Sequence, residues 1–498
     1  MKECTMLSSQ EKEMLRVKTC DLLRKEGMKI ANEEIAALLL KKGCSQAPSG
    51  RIRIPCELIG EMVASQKKSQ KQDAEDQELY LTCGIDWAHH ILWTNKQEEM
   101  RKKLGRTFMM SAFDCGPTKF YDYPTQKVMP VDTSIFVEMM KLAQSTPEIG
   151  YISTWYRQDV PQETERIESL ILGLKYTDKV DGIEAIDPRQ IKYLQDIGEI
   201  ICDEPARTPF LAGSQCITSP LILEERSAEE MVERVKRGIK RFHITSMPTI
   251  GVSTPVTLAG SIVMSAAEIL GGMTAAFCMD PDADLGGRMI ANVLDMKTGS
   301  VTCYGPETAM LNLSVKELFD ACFGGHLWVE VFFSPGTKRP GLQTVCENLY
   351  GVHSYAKLTE NADICYPGMG TLDNGGMGSP TQFMLDMEIR KSQFALKNKI
   401  AVDEESLDFE EICEKVRDGD NFLSSDHTFR HFRELWSSKI FLTDEPKPGG
   451  WEGDEKSLLE SCDRQWRENI KTVQPPEWPE EKMRALEEVL DRAKRELL

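Results

Sequence analysis

Polar and aromatic residues follow several short apolar runs of this sequence, where each run is expected to end. Trp155 and Tyr156 follow one run, Glu184 lies near the end of another, and Ser246 ends a third. Aromatic rings attract a quaternary ammonium group by about 1–2 kcal/mol per ring once the cation has lost its water. These residue types therefore indicate a binding site for a small organic cation. Core packing is the alternative explanation for each ring.

A later run carries the strongest single candidate. Glu330 lies inside a strand-like run that is otherwise apolar, and Phe332, Phe333 and Ser334 stand at its end. A buried carboxylate is costly unless it is paired or used in chemistry. Glu330 therefore either lines a site or faces a helix layer and meets a Lys or Arg.

His353 and Tyr355 lie in the segment after that run. A histidine there could bind a substrate carboxylate or act as an acid or base, and a structural histidine is the alternative. We take Glu330 and His353 as candidate catalytic groups. The candidate substrate-binding residues are Trp155, Tyr156, Glu184, Ser246, Phe332, Phe333, Ser334 and Tyr355.

The elements that must position these residues are short apolar runs alternating with helical patterns. Eight strands are predicted: Thr107–Phe113, Gly150–Trp155, Val180–Ile186, Thr208–Ala212, Phe242–Met247, Gly286–Val293, Trp328–Phe333 and Ala362–Tyr366. This alternation predicts an α/β fold, a (β/α)₈ barrel whose site lies at the carboxyl ends of the strands. A doubly wound open sheet is the competing arrangement, but no G-x-G-x-x-G follows the first strand.

The longest apolar segment is predicted to be a helix of the barrel. Ile250–Phe277 is rich in small residues, which allow a helix to dock closely on a sheet, with Thr254 as the cap and Pro255 in the first turn. We expect a mainly helical accessory region over residues 1–105, the barrel over 106–397 and a helical extension over 398–498.

Composition excludes several classes of partner. The formal net charge of −19 is unsuited to binding nucleic acid or an anionic membrane. The fifteen cysteines form no CxxC pair, and no HExxH, zinc-type ligand spacing or GxSxG is present. The N-terminus lacks an apolar signal segment. We therefore expect a cytoplasmic protein with reduced thiols and no metal site.

Three blocks of sequence carry a resemblance to a known family. They are STPVTLAG at Ser253–Gly260, MKTGSVTCYGPE at Met296–Glu307, and GMGTLDNGGMGSPTQFMLDMEI in the region Asp363–Glu388. Their order and spacing resemble those of the trimethylamine methyltransferase family, over roughly residues 10–490.

The resemblance implies a barrel that moves a methyl group from a methylated amine to the cobalt of a separate corrinoid protein. The founding members carry pyrrolysine, and no such residue is written here. The chain therefore resembles the wider branch, whose members use quaternary amines such as glycine betaine, proline betaine or carnitine. It differs from the usual pattern after the seventh strand, where Phe333–Gly336 and Arg339–Gly341 stand in place of a Gly-Gly and a later Asp.

This function sets physical requirements. A quaternary ammonium already has a neutral amine as its leaving group, so its methyl can pass directly to Co(I). The protein must desolvate the cation, orient one methyl and admit the corrinoid. Aromatic rings and a carboxylate would hold the cation. A His, Lys or Arg would hold any substrate carboxylate, with Lys338 and Arg339 as candidates.

The expected partners are therefore a cognate corrinoid protein and a small methylated amine, and we expect a homo-oligomer. No cofactor is expected to be tightly bound, because the corrinoid would be carried by the partner. Two alternatives are a related barrel methyltransferase with another methyl donor or acceptor, and a catalytically silent member that binds an osmolyte or the corrinoid protein.

Overall fold

The computed structural model describes residues 5–69, 110–113, 116–180, 182–201, 211, 213–324, 326–329, 334–359, 369–395, 400–438, 440–441 and 450–498. The α-helices among them are α1 Ser9–Lys25, α2 Glu33–Lys41, α3 Cys56–Ser69, α4 Thr133–Ser145, α5 Gln162–Tyr176, α6 Ile191–Ile201, α7 Glu225–Lys236, α8 Leu258–Met279, α9 Pro306–Leu318, α10 Leu342–Thr359, α11 Pro380–Ala395, α12 Glu404–Leu407, α13 Phe409–Asp418, α14 Asp426–His431, α15 Gly450–Asn469 and α16 Glu480–Leu497.

The strands of the same residues are mostly short. They are β1 Lys29–Ile30, β2 Ser45–Gln46, β3 Ile52–Arg53, β4 Met110–Ala112, β5 Lys119–Asp122, β6 Lys127–Pro130, β7 Ile149–Ile152, β8 Gln215–Ile217, β9 Ile222–Leu223, β10 Arg241–Ser246, β11 Thr249–Ile250, β12 Asp284–Met289, β13 Asn292–Leu294, β14 Val301–Thr302, β15 His326–Val329, β16 Thr371–Leu372 and β17 Met377–Gly378.

The parallel pairings follow the order of the chain. β4 pairs with β7, and a second sheet has the order β8-β10-β12-β15. Single parallel bridges, Ile152 with Val180 and Ile183 with Leu211, lie between these two groups. Helices separate most of the paired stretches, so the predicted α/β class is confirmed. Within the described ranges, no pairing joins β15 back to β4.

The predicted strand bounds need correction at two places. Among the described residues, the third strand is present only as single bridges at Val180 and Ile183. Of the predicted fourth strand, Thr208–Ala212, only Leu211 lies within the described residues, and the next regular strand is β8, after Gly213 with φ +99°. The sixth ends at Met289, and the chain then enters a different sheet at β13. The predicted eighth strand, Ala362–Tyr366, lies outside the described residues.

Helix α8 begins later than its sequence predicts. Thr257, not Thr254, is its N-cap, and Thr254 instead accepts a hydrogen bond from the amide of Gly251 in the turn before the helix. The prediction of close docking is confirmed. A Cβ added to Gly272 would lie 2.5 Å from Cγ2 of Ile244, and one added to Gly271 would collide with Met28. The sheet and the N-terminal region thus pack against α8 on separate sides.

Helix α8 is also the one helix of the described chain that is long and apolar enough to cross a membrane. In its most apolar window, 83% of the residues are buried inside the protein. Its apolar surface is therefore already covered by protein, as expected of a core helix.

The terminal regions cover opposite halves of the strand series. Helices α1, α2 and α3 pack against α8 and share one apolar core with β10 and β12. Helix α15 packs against α11, and α16 packs against α5 and α6, in a second core that includes β7.

Candidate functional site

Glu184 lies one residue beyond the Ile183–Leu211 bridge, near the carboxyl end of the third parallel stretch. A Cβ at Gly213 would lie 2.7 Å from Cγ of Glu184, so a glycine is needed beside this side chain. Oε1 accepts a hydrogen bond from Nη2 of Arg226 at 3.3 Å, and the side chain keeps 32% exposure. The carboxylate is therefore sheltered but reachable.

The charged groups around Glu184 only partly compensate the negative charge of its carboxylate. Burial raises the pKa of Glu184, and the nearby carboxylate of Glu230 raises it further, while Arg226 and Arg166 act in the opposite direction. Glu230 is itself paired with Arg234 at 2.9 Å. A raised pKa means that the ionised form of Glu184 is short of favourable partners, so an entering cation would stabilise it.

Tyr156 lies close enough to Glu184 for the carboxylate to raise the pKa of its phenol, although burial is the larger cause. The guanidinium carbon of Arg166 stands 3.6 Å from the centroid of the tyrosine ring. Arg166 also donates to the carbonyls of Thr154 and Trp155 and pairs with Glu165. One face of the Tyr156 ring is thus already covered by Arg166, which also holds the chain just after β7.

Trp155 was predicted to line a cation box, but its packing places it in the core. It is 0% exposed, and its ring lies edge-on to Phe113 with centroids 4.9 Å apart. Its six-membered ring also lies against the backbone of Gly378, where a Cβ would collide with it. The structure therefore leaves no accessible face of Trp155 for a ligand.

Ser246 was also predicted to contact substrate, and its side chain points toward the helix layer instead. Its hydroxyl donates to Oε2 of Glu268 on α8 at 2.6 Å, and Ser219 donates to the same oxygen at 2.9 Å. The amide of Leu221 donates to Oε1 of Glu268 at 3.2 Å. This group joins the ends of two strands to α8.

Ser334 is buried, and its Oγ lies 2.9 Å from Oγ1 of Thr371. Lys338 is 75% exposed and pairs with Asp373 at 3.7 Å, which leaves it at the surface. His353 is exposed on α10 and does not contact Glu184. Three predicted residues, Glu330, Phe332 and Phe333, lie outside the described residues, as does the side chain of Tyr355.

The inward side of the second sheet carries polar residues that sequence reasoning missed. Because Ile244 and Ser246 contact α8, the alternate residues His243 and Thr245 face the opposite side. Thr245 is in register with Cys216 on β8 and with Arg288 on β12. Polar residues at every second position of an apolar strand were the signal that could have identified this row.

His243 forms the layer next to that row, with its Nδ1 2.9 Å from Oγ of Ser214. Its backbone amide donates to the side chain of Gln215. His243 is thus held by two neighbours, Gln215 on β8 and Ser214 just before that strand.

Loops after several strands interlock at one end of the sheets. β11 pairs with β13, and β5 pairs with β17. Asn374, in the glycine-rich loop after the eighth predicted strand, accepts from the amide of Cys303 and donates to the carbonyl of Val301, both at 3.2 Å. The backbone amide of Asn374 donates to the carbonyl of Pro335 at 2.9 Å. We call this layer, β11, β13, β14, β16 and β17, the cap.

One described cleft, of about 600 Å³, lies beside the loop that follows Glu184. Its lining comes from that loop and from α5 and α7, and it includes Glu163, Asp187, Arg189 and Glu229. None of the inward-facing strand residues contributes to it. The cleft is lined mainly by charged residues and offers no aromatic face to a cation.

The described residues contain no group of three or more His, Cys, Asp or Glu side chains arranged to hold a metal ion. Burial raises the pKa of Cys216 and of Cys303 to about 12, so both are neutral thiols at physiological pH.

A model of the family described as trimethylamine methyltransferase matches residues 1–497 of the chain. The chain belongs to this family. Among relatives, trimethylamine methyltransferase MttB1 of Methanosarcina acetivorans is 24% identical over 463 residues, 90% of this chain and 87% of its own. Glycine betaine methyltransferase of Desulfitobacterium hafniense is 24% identical over 331 residues, 64% of this chain and 66% of its own.

A trimethylamine methyltransferase MttB of Desulfitobacterium hafniense is 26% identical over 238 residues, 48% of this chain and 47% of its own. The resemblance stated from three blocks of sequence is therefore confirmed.

These blocks meet in the structure of this trimethylamine methyltransferase family member. A Cβ at Gly251 would lie 2.7 Å from Cε of Met296, in the second block, and 3.9 Å from Cγ2 of Val256, in the first. Asn374, in the third block, bonds to Val301 and Cys303 of the second. The blocks of sequence that carry the family resemblance therefore form part of the cap and the segment that leads into α8.

Proposed function

We propose that this protein transfers a methyl group from a small quaternary methylated amine to the Co(I) of a corrinoid carried by a partner protein. Membership of the trimethylamine methyltransferase family supports methyl transfer, and the two substrates named for its relatives are both methylated amines. A cytoplasmic location fits this chemistry.

The observation that carries the proposal is the state of Glu184. Its carboxylate lies near a strand end, is one-third exposed, and has a pKa raised by burial. A quaternary ammonium bound beside it would neutralise that charge without donating a proton. The net charge of −19 would also raise the local concentration of a cationic substrate.

The reaction requires little acid–base chemistry from the protein. The Co(I) electron pair forms a bond to the methyl carbon, the carbon–nitrogen bond breaks, and its electron pair leaves with the neutral amine. Cobalt is formally oxidised from Co(I) to Co(III). Glu184 would hold the ammonium so that one methyl group faces the incoming cobalt.

We propose that the paired strands are part of a closed (β/α)₈ barrel. The amide of Phe113, just after β4, donates to the carbonyl of Met369, just after the predicted eighth strand, at 3.0 Å. This bond supports closure because it brings the two ends of the strand series together. In such a barrel the cap would lie at the carboxyl-terminal face, where substrate and cobalt would meet.

The test mixes purified protein and reduced Co(I) cobalamin with trimethylamine, choline, glycine betaine, proline betaine or carnitine in turn. The proposal expects the methyl-Co(III) spectrum to appear with a quaternary amine and not with trimethylamine. Saturable amine binding without methylated cobalt, also when a cognate corrinoid protein is supplied, would show a binding protein instead. Methylation by trimethylamine alone would contradict the quaternary donor.

A further inference from the structure

Two histidines lie four residues apart in the C-terminal part of the chain. His427 and His431 are half-buried on α14, a helix with no fully buried residue, and residues four apart are neighbours on one face of a helix. Their ring centroids are 4.5 Å apart, with the ring planes tilted by 40°. Zinc–nitrogen bonds are about 2.0–2.1 Å long, so two rings this close can reach the same ion.

Each of these rings has a nitrogen without a hydrogen-bond partner. Nε2 of His427 and Nε2 of His431 are both shielded from solvent, and neither has a partner among the described residues. A buried polar atom left in this state is unfavourable. Water hydrogen-bonds to nitrogen at about 2.9 Å, whereas zinc binds at about 2.0–2.1 Å and so needs less room. A metal ion can therefore satisfy two nitrogens that are closed to water.

Glu434 determines which nitrogen of His431 is available to a ligand. Nδ1 of His431 donates a hydrogen bond to Oε1 of Glu434 at 2.9 Å, since an ionised carboxylate can only accept. In the neutral ring the proton is then on Nδ1, and Nε2 carries the lone pair. A carboxylate bonded to the far nitrogen is the usual support of a histidine that binds a metal. His431 is thus prepared to act as a ligand through Nε2.

The backbone that carries the pair is held at both of its ends. Ser425, the buried N-cap of α14, accepts a hydrogen bond from the amide of Thr428 at 2.9 Å. Arg430, between the two histidines, pairs with Asp408 at the start of α13 at 3.5 Å. The two rings therefore start close to each other, which lowers the ordering cost of binding one ion.

We propose that His427 and His431 bind one divalent transition-metal ion, such as zinc or nickel, through their Nε2 atoms. Imidazole nitrogens suit these ions. The described residues contain no group of three His, Cys, Asp or Glu side chains placed to hold a metal, so the other coordination positions are left to water or to added ligands. The proposal departs from the prediction of no metal site, which considered only complete ligand sets. It does not depend on the proposed methyl transfer.

The test titrates the untagged full-length protein, first stripped of metal with a chelator, with Ni²⁺ or Zn²⁺ in a calorimeter. We expect His427→Gln and His431→Gln each to weaken one site by more than about 10-fold, and Glu434→Gln to weaken it by about 5-fold, because that carboxylate supports only one ligand. His353→Gln removes an exposed histidine of α10 and is the matched control. The fifteen cysteines are the same in every protein, so the metal they bind cancels in the comparison.

Equal affinity and stoichiometry in the wild type, His427→Gln and His431→Gln would overturn the site. An equal loss in His353→Gln would do the same, because it would show general binding by surface histidines. The side chain of Glu434 is 71% exposed, so Glu434→Gln keeps the test valid if a histidine variant does not fold. In that case, wild-type affinity in Glu434→Gln would overturn the proposal.

Discussion

Glu184 and Glu268 are both carboxylates whose pKa is raised by burial, yet their surroundings differ. Glu268 accepts three hydrogen bonds, from Ser219, Leu221 and Ser246. Among the described residues, Glu184 accepts a hydrogen bond only from Arg226, and at the longer distance of 3.3 Å. Burial alone therefore does not mark a ligand site. A carboxylate that has its donors acts as a structural brace, whereas one with spare capacity can receive a ligand.

The largest expected effect comes from removing the hydrogen bonds to Glu268. Glu268→Ala leaves three donors without their acceptor, two of them buried, so the free energy of unfolding should fall by about 3–5 kcal/mol. Urea denaturation measures this change, and Glu268→Gln should lose less because its amide oxygen still accepts. The folded fraction of either variant should bind glycine betaine as the wild type does. A stability loss below about 1 kcal/mol would contradict the structural role.

Glu184→Gln should have the opposite pattern. Glycine betaine should bind about 30-fold more weakly, because the charge that holds the ammonium is gone. Stability at neutral pH should be equal or higher. The folded-state pKa of Glu184 is raised, so its ionised form destabilises the fold above that pKa, and stability rises as the pH falls through it.

The neutral amide should remove this pH dependence of stability, which thermal unfolding at a series of pH values measures. Glu229→Gln, an exposed carboxylate on the outer cleft, is the control and should change neither property. Equal loss of affinity in both variants would indicate a general charge effect and not a site.

Gly272→Ala tests the docking of α8, the helix that carries Glu268. The added Cβ would lie 2.5 Å from Cγ2 of Ile244, a stiff β-branched side chain next to Thr245, so the free energy of unfolding should fall by about 2 kcal/mol. Gly60→Ala, in α3, is the matched control, because no atom lies within 4 Å of the added Cβ. That control should gain about 0.5–1 kcal/mol.

The smallest predicted effect separates Ser246 from the site. Ser246→Ala removes one hydrogen bond to Glu268 and should lower the free energy of unfolding by about 1 kcal/mol. Affinity for glycine betaine should stay within 2-fold of the wild type, as measured by calorimetry. A tenfold loss of affinity with unchanged stability would return Ser246 to the substrate site.

The alternation of elements was predictable from the sequence because apolar periodicity and helix caps are local signals. The strand predicted as Phe242–Met247 is found as β10 at Arg241–Ser246, and the predicted start of the sixth strand, Gly286, lies within β12 at Asp284–Met289. Thr254 was misassigned as a cap because the β-bridge between Ile250 and Thr254 depends on a turn that propensity does not reveal.

The site was less predictable, because side-chain direction depends on register. A shift of one residue along a strand exchanges the helix-facing and inward-facing sets. Ser246 and Thr245 are neighbours in sequence, but the first bonds to α8 and the second faces the other side. The aromatic faces were also unpredictable, since Arg166, which covers Tyr156, is ten residues away in another element.

The central claim is that the Glu184 carboxylate holds the ammonium, and the affinity for glycine betaine as a function of pH tests it most directly. The ammonium of this ligand cannot lose a proton, so a change of affinity with pH above the ordinary carboxyl range comes from the protein. Wild-type affinity should fall as the pH drops into the raised titration range of Glu184, and Glu184→Gln should bind weakly with no such dependence. Equal affinity and an equal pH profile in the two proteins would contradict it.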